Sequence, residues 1–192
     1  MTAANLRPAV FFDRDGTLIR DVGYLTRLEQ IEILDGVPAA IRALRDGGFR
    51  TVVVTNQSAV ARGLLREEEL EGIHQELKSR LGERGASLDG IYYCPHHPTE
   101  GMGRYRTACD CRKTNVGLAK RAAAELNLDL SRCYVVGDQP GDMEFAARIG
   151  AMGILIRGEV GGWGGQNMPD GCLFVKDFWE AASWIVQLPG RS

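Results

Sequence analysis

Two aspartates one residue apart, Asp13 and Asp15, follow a short apolar run, Ala9 to Phe12, and precede Gly16-Thr17. A buried strand that runs straight into paired carboxylates is costly unless a cation or a proton compensates them. One-residue spacing turns the two side chains in different directions where the strand continues. The pair can therefore divide its labour, one carboxylate attacking an electrophile while the other handles protons. Two further polar clusters end apolar runs in the same way: Thr55-Asn56-Gln57-Ser58 and Gly137-Asp138, the latter followed one helical turn later by Asp142.

A second constellation lies between them: Cys94-Pro95-His96-His97-Pro98, then Cys109-Asp110-Cys111. Thiolates and an imidazole at C-x-H and C-x-C spacing can close a tetrahedral Zn²⁺ site. Spacing alone leaves both His96 and His97 open as the nitrogen ligand. Four protein ligands leave no coordination position free, which points to a structural ion. Arg112 and Lys113 directly follow the last cysteine, so such a site would pin them in place.

The elements that must position these groups alternate. Strands are expected at 9–12, 49–55, 88–93, 133–136, 152–156 and 172–175, from β-branched and aromatic runs. Helices are expected from 35 to 46, with Asp35 as N-cap and Gly47-Gly48 as stop, and at 66–84, 116–126, 142–149 and 177–188. In the helix at 66–84 the apolar stripe is Leu70, Ile73, Leu77 and Leu81, and His74 reads as a surface residue. Residues 19–33 are irregular, long enough for a flap but not for a cap domain. Residues 94–113 show no periodicity, and a loop of that length needs its own source of order. Alternating strands and helices imply an α/β, doubly wound, mostly parallel sheet. In such sheets ligands sit beyond the carboxyl ends of the strands, so the three polar clusters would meet in one crevice.

At 192 residues and 44% apolar content, one domain spanning 1–192 with one substantial core is expected. Twenty-three basic against 25 acidic residues give a net charge of -2, interleaved rather than blocked, without a nucleic-acid or membrane-surface footprint. No apolar run approaches the ~18 residues of a membrane span, and the N-terminus lacks the pattern of a secretory signal. Five cysteines, three of them between 94 and 111, suit a reduced, cytoplasmic, metal-binding chain better than a disulfide scaffold. Cys133 and Cys172 read as core residues. Without an apolar repeat or coiled coil, a monomer is expected.

The runs FFDRDGTL (11–18), VVVTNQS (52–58), Arg112-Lys113 and GDQPGD (137–142) together resemble the four motifs of the haloacid dehalogenase (HAD) phosphohydrolases. The resemblance implies a Rossmann-like three-layer sandwich with a minimal cap. It implies Asp13 as nucleophile and Mg²⁺ ligand, Asp15 as acid/base and ligand through its carbonyl, and Asp138 as the third Mg²⁺ ligand. Thr55 and Lys113 would hold the phosphoryl oxygens, with Asp142 supporting from behind. GIYYCPHHP (90–98), CDCRK (109–113), residues 55–63 and Asp21-Val22-Gly23-Tyr24 further resemble the zinc-loop subgroup of that superfamily, whose C-x-H pattern selects His96 over His97. That subgroup acts on heptose bisphosphates and on histidinol phosphate. By this resemblance the chain would remove the 7-phosphate of D-glycero-D-manno-heptose 1,7-bisphosphate, toward nucleotide-activated heptose. Asp21, Val22, Gly23, Tyr24, Asn56, Gln57, Ser58 and Arg112 would contact the sugar or its second phosphate; a guanidinium recognises phosphate bidentately.

The chain departs from the subgroup in two places: Thr114-Asn115-Val116 replace a Pro-rich continuation, and Gln139-Pro140 stand where a lysine is usual. The missing positive charge leaves Lys113 as the main protein cation near the phosphoryl group. Histidinol phosphate or another small sugar phosphate is the alternative substrate, and a non-catalytic, zinc-ordered binding module is the alternative from another class. The Gly-rich stretch 158–165 reads as a flexible loop.

Overall fold

A computed structural model describes residues 6–157 and 171–188; the stretch 158–165 lies outside them. Six strands form one sheet in the order β3-β2-β1-β4-β5-β6: β1 (Ala9–Phe12), β2 (Arg50–Asn56), β3 (Gly90–Cys94), β4 (Tyr134–Gly137), β5 (Met152–Ile156) and β6 (Leu173–Val175). Every neighbouring pair is parallel. The strand order reverses direction at β1, so the crevice beside its carboxyl end is the switch point of the sheet.

Alternation along the strands builds the two cores. Val10, Phe12, Val53, Tyr134 and Val136 pack on one face with Ile41 and Leu44 of α1 (Val37–Asp46), with Leu70, Ile73, Leu77 and Leu81 of α3 (Glu67–Glu83), and with Ala181 and Ile185 of α6 (Phe178–Gln187). Ala9, Phe11, Val52, Val54 and Val135 face the other way, onto Leu118 and Ala122 of α4 (Gly117–Leu126) and Phe145 and Ile149 of α5 (Pro140–Ile149). Period-two strands between two helical layers give the expected three-layer α/β sandwich. A one-turn helix, α2 (Ser58–Ala61), follows β2 directly.

Local details differ from the sequence reading. Gly36, with φ at 78°, occupies the N-cap of α1 and no side chain caps it; Asp35 stands one residue too early. Helix α5 begins at Pro140, because proline's fixed φ suits the first turn, and Asp142 is its third residue rather than its first. His74 is buried on the core face of α3, not exposed. Cys133 is buried as expected, whereas Cys172 is only half-buried. No helix among the described residues is long and apolar enough to cross a membrane.

Candidate active site

Asp13 extends β1 by one residue, its N–H donating to the Val136 carbonyl of β4 at 3.1 Å. Asp138 occupies the corresponding place after β4, so sheet pairing itself brings the two carboxylates together. Between them the chain turns at Gly16, with φ at +79°; a Cβ there would lie 2.4 Å from Asp138 Oδ2, so only glycine allows this approach. Gly137 is constrained likewise, since its Cβ would lie 2.2 Å from Asp142 Oδ2.

The Lys113 ammonium bridges this cluster, donating to Asp13 Oδ1 at 2.8 Å and to Asp142 Oδ1 at 2.6 Å. Burial disfavours its charge, but the charges of Asp13 and Asp142 outweigh that and leave its pKa above the usual lysine range. Asp142 is buried, which raises its pKa to about 6 against the opposing pull of Lys113 and with the repulsion of Asp13. Its other oxygen accepts from the Gln139 N–H at 3.1 Å and so fixes the start of α5. Asp138 is raised by burial, partly offset by the Gln139 amide, which donates to Oδ2 at 2.7 Å.

Asp13, Asp138 and Asp142 offer oxygens within 4.8 Å of one another. Three carboxylates against the single ammonium of Lys113 leave an excess of negative charge on hard oxygens. That donor set fits Mg²⁺.

Asp15 points elsewhere, as one-residue spacing predicts. Its two oxygens receive Nε and Nη2 of Arg14 at 3.2 and 3.0 Å, and Gln57 Nε2 reaches Oδ2 at 2.9 Å. The same Gln57 amide donates to Thr55 Oγ1 at 2.9 Å. Asn56, last residue of β2, grips the main chain of Lys113 at both ends: Nδ2 donates to its carbonyl and Oδ1 accepts from its N–H, each at 2.9 Å. Arg112 Nη1 donates to Ser58 Oγ and to the His96 carbonyl, both at 2.9 Å.

Asp15 also opens onto a polar cleft lined by Gly23, Tyr24, Asn56, Gln57, Ser58, Arg62, His97 and Arg112. Of the residues expected to meet substrate, Asp21 and Val22 do not line it. The Asp21 carboxylate accepts from the Gly23 N–H at 2.8 Å and shapes the flap turn. Arg14, behind Asp15, and Arg62, on the cleft, carry no role in the sequence reading, and His97, weighed there only as a zinc ligand, lines the cleft instead. Arg62 lies within the 55–63 run, and its guanidinium stacks 5.4 Å from the Tyr24 ring, tying flap to α2.

The second cluster gathers Cys94, His96, Cys109 and Cys111, with ligand atoms within 4.8 Å of one another. The sulfurs are 3.2 to 3.5 Å apart, and His96 Nδ1 lies 3.3 Å from Cys111 Sγ and 3.7 Å from Cys94 Sγ. These are near the ~3.8 Å edges of a tetrahedron of thiolates around zinc. His97 turns away, its Nδ1 accepting from the Glu100 N–H at 2.9 Å. Burial drives the Cys94 thiol upward, so a cation must take the place of its proton before it ligates. A soft three-sulfur, one-nitrogen set fits Zn²⁺.

The chain is similar to proteins already characterised. The HAD-hydrolase-like family model matches residues 110–170. The D-glycero-beta-D-manno-heptose-1,7-bisphosphate 7-phosphatase of Yersinia pestis is 43% identical over 152 residues, covering 78% of this chain and 80% of that protein. Its counterpart from Escherichia coli K12 is 43% identical over 152 residues, covering 78% and 79%. Among solved structures, the D,D-heptose 1,7-bisphosphate phosphatase of B. bronchiseptica, complexed with magnesium and phosphate, superposes with a TM-score of 0.79. It is 28% identical and covers 94% of this chain and 98% of that one. At this level of identity and coverage, the chain belongs to the heptose-1,7-bisphosphate 7-phosphatase family of HAD phosphatases.

Proposed function

We propose that this chain, as one domain over 1–192, is a Mg²⁺-dependent phosphatase that removes the 7-phosphate of D-glycero-β-D-manno-heptose 1,7-bisphosphate. The observation that carries the reading is the convergence of Asp13, Lys113, Asp138 and Asp142 where β1 and β4 end, beside a cleft opening at Asp15. The β-anomer follows the names of the relatives. The product would feed nucleotide-activated heptose synthesis in the cytoplasm, with the enzyme acting as a monomer.

Asp13 attacks phosphorus, and the P–O bond to C7 of the sugar breaks. Asp15 gives its proton to the departing alkoxide, then takes one from the water that attacks the aspartyl-phosphate, releasing phosphate and restoring Asp13. Lys113 and the Thr55 hydroxyl neutralise and orient the equatorial oxygens, since phosphoryl transfer is mostly positioning and charge stabilisation. Asp13, the Asp15 carbonyl and Asp138 would hold Mg²⁺, which when bound supplies charge neutralisation of the phosphoryl group. Asp142 fixes the Lys113 ammonium. Gly23, Tyr24, Asn56, Gln57, Ser58 and Arg112 bound the sugar side, with Arg112 toward the second phosphate. Cys94, His96, Cys109 and Cys111 would hold a structural Zn²⁺.

Steady-state kinetics on both anomers of the heptose bisphosphate and on histidinol phosphate test this reading. The β-anomer should have the highest kcat/KM, and Asp13→Asn should abolish turnover with a native circular dichroism spectrum. A preference for histidinol phosphate would overturn the substrate, and an active Asp13→Asn variant would overturn covalent catalysis.

A further inference from the structure

Arg14 is 1% exposed, and it stands between the two aspartates of the nucleophile strand. A buried guanidinium carries five N–H donors and a permanent charge, so its acceptors define its position. Nε and Nη2 take the Asp15 carboxylate, and Nη2 also reaches Gln57 Oε1 at 2.7 Å. That leaves Nη1, which lies 3.1 Å from Nε2 of His74, across the core on α3.

Arginine only donates, so His74 Nε2 is the acceptor and the ring carries its proton on Nδ1. Burial first, and then the charges of Arg14 and Lys78, press the imidazole pKa down to about 3, which keeps it neutral at any working pH. His74 sits in line with Leu70, Ile73 and Leu77, a place where an apolar side chain would pack. An imidazole there is costly unless it bonds. Gln57 closes the arrangement: its oxygen is taken by Arg14, so its amide nitrogen must donate to Asp15 and Thr55. Asp15 is thus held from behind while its outer side lines the cleft.

We propose that His74 is a positioning residue, which through Arg14 sets the orientation of the Asp15 carboxylate for proton transfer. The proposal rests on the reading of Asp15 as acid/base. A core histidine with only a packing role would make no distinction between substrates. A positioning role makes one, because an alkoxide needs a proton as it leaves and a nitrophenolate does not.

The test compares kcat/KM, which covers the steps up to departure of the leaving group, for the heptose bisphosphate and for p-nitrophenyl phosphate. The proteins are wild type, Asp15→Asn, His74→Leu and His74→Gln. His74→Leu should lower kcat/KM roughly tenfold or more on the sugar and less than about threefold on the aryl ester, the scale expected when a general acid is misaligned. His74→Gln, whose amide oxygen can accept from Nη1, should recover most of that loss. Equal losses on both substrates, no loss on either, or no recovery with glutamine would overturn the proposal. If His74→Leu does not fold, Arg14→Lys carries the same test, since an ammonium cannot bond both Asp15 oxygens and Gln57 in the guanidinium's geometry. Asp15→Asn separates the two readings: losing its leaving-group dependence overturns the acid/base role itself, whereas keeping it while His74→Leu shows none overturns the positioning role alone.

Discussion

The carboxylate cluster and the thiol cluster solve the same problem in opposite ways. Asp13 and Asp138 are placed by strand pairing, and Gly16 and Gly137 let the backbone come close to the Asp138 and Asp142 carboxylates. Their order comes from the sheet beneath, buried on both faces. Of the thiol cluster only Cys94 ends a strand; His96, Cys109 and Cys111 ride on a segment whose regular structure is a single 3₁₀ turn, Gly103–Tyr105. In the first region the sheet gathers the carboxylates, and in the second little but the cluster itself holds the segment together. On the proposed reading that difference would give catalysis to the one and stability to the other.

The sharpest way to break that contrast is at Lys113, where the two regions meet. Lys113→Met removes the ammonium shared by Asp13 and Asp142 and should cost kcat about 10²- to 10³-fold, the scale for losing one preorganised charge donor. Single-turnover kinetics would check it, and a loss confined to KM would move Lys113 out of the phosphoryl site. Next in size, Cys109→Ser should remove zinc and lower stability by about 2–3 kcal/mol, hence Tm by roughly 5–10 °C for a chain of this size. Limited proteolysis should then cut within 95–113 while the sheet stays intact. A metal-free variant that melts with wild type would mean that the loop is ordered by something else.

The smallest effect concerns acid. His74 is held neutral in the fold, with its pKa pressed by burial and Arg14 to about 3, against 6.5 in a solvated chain. As pH falls below 6.5 the unfolded chain binds a proton that the folded one refuses, so stability drops toward pH 3. Between pH 7 and pH 5 this one group should remove about 2 kcal/mol, at up to ~1.4 kcal/mol per unit. Unfolding free energies from urea titrations of wild type and His74→Gln should diverge by that amount, the variant being flatter with pH; parallel curves would place a charged imidazole in the core.

Much of this was legible in the chain. Apolar runs ending in polar clusters located the strands, and the parallel order followed from their alternation with helices. The gathering of Asp13, Lys113, Asp138 and Asp142 was expected, as was the pairing of Cys94 and His96 with Cys109 and Cys111. His74 reads as a surface residue because an apolar stripe carries no signal for a buried imidazole, although it stands four residues after Leu70 and three before Leu77, on the same helical stripe. Arg14 was passed over for a related reason: a charge beside two aspartates reads as their solvated neighbour, and only tertiary structure reveals acceptors waiting inside. Gln57 and Asn56 were expected at substrate, yet their amides are largely engaged with Arg14, Asp15, Thr55 and the Lys113 main chain. Bonds between distant segments leave no local signature. The start of α1 was missed because a left-handed glycine, rather than a carboxylate, occupies the cap.

Asn56 has one more implication. By binding both the N–H and the carbonyl of Lys113, its amide imitates the next rung of a ladder, continuing β2 by a residue that is not in any strand. The ammonium therefore takes its bearings from the sheet as well as from the cysteine-bearing segment that carries it. Loss of that one amide would release the N–H and the carbonyl of Lys113 together, even with the thiol cluster intact.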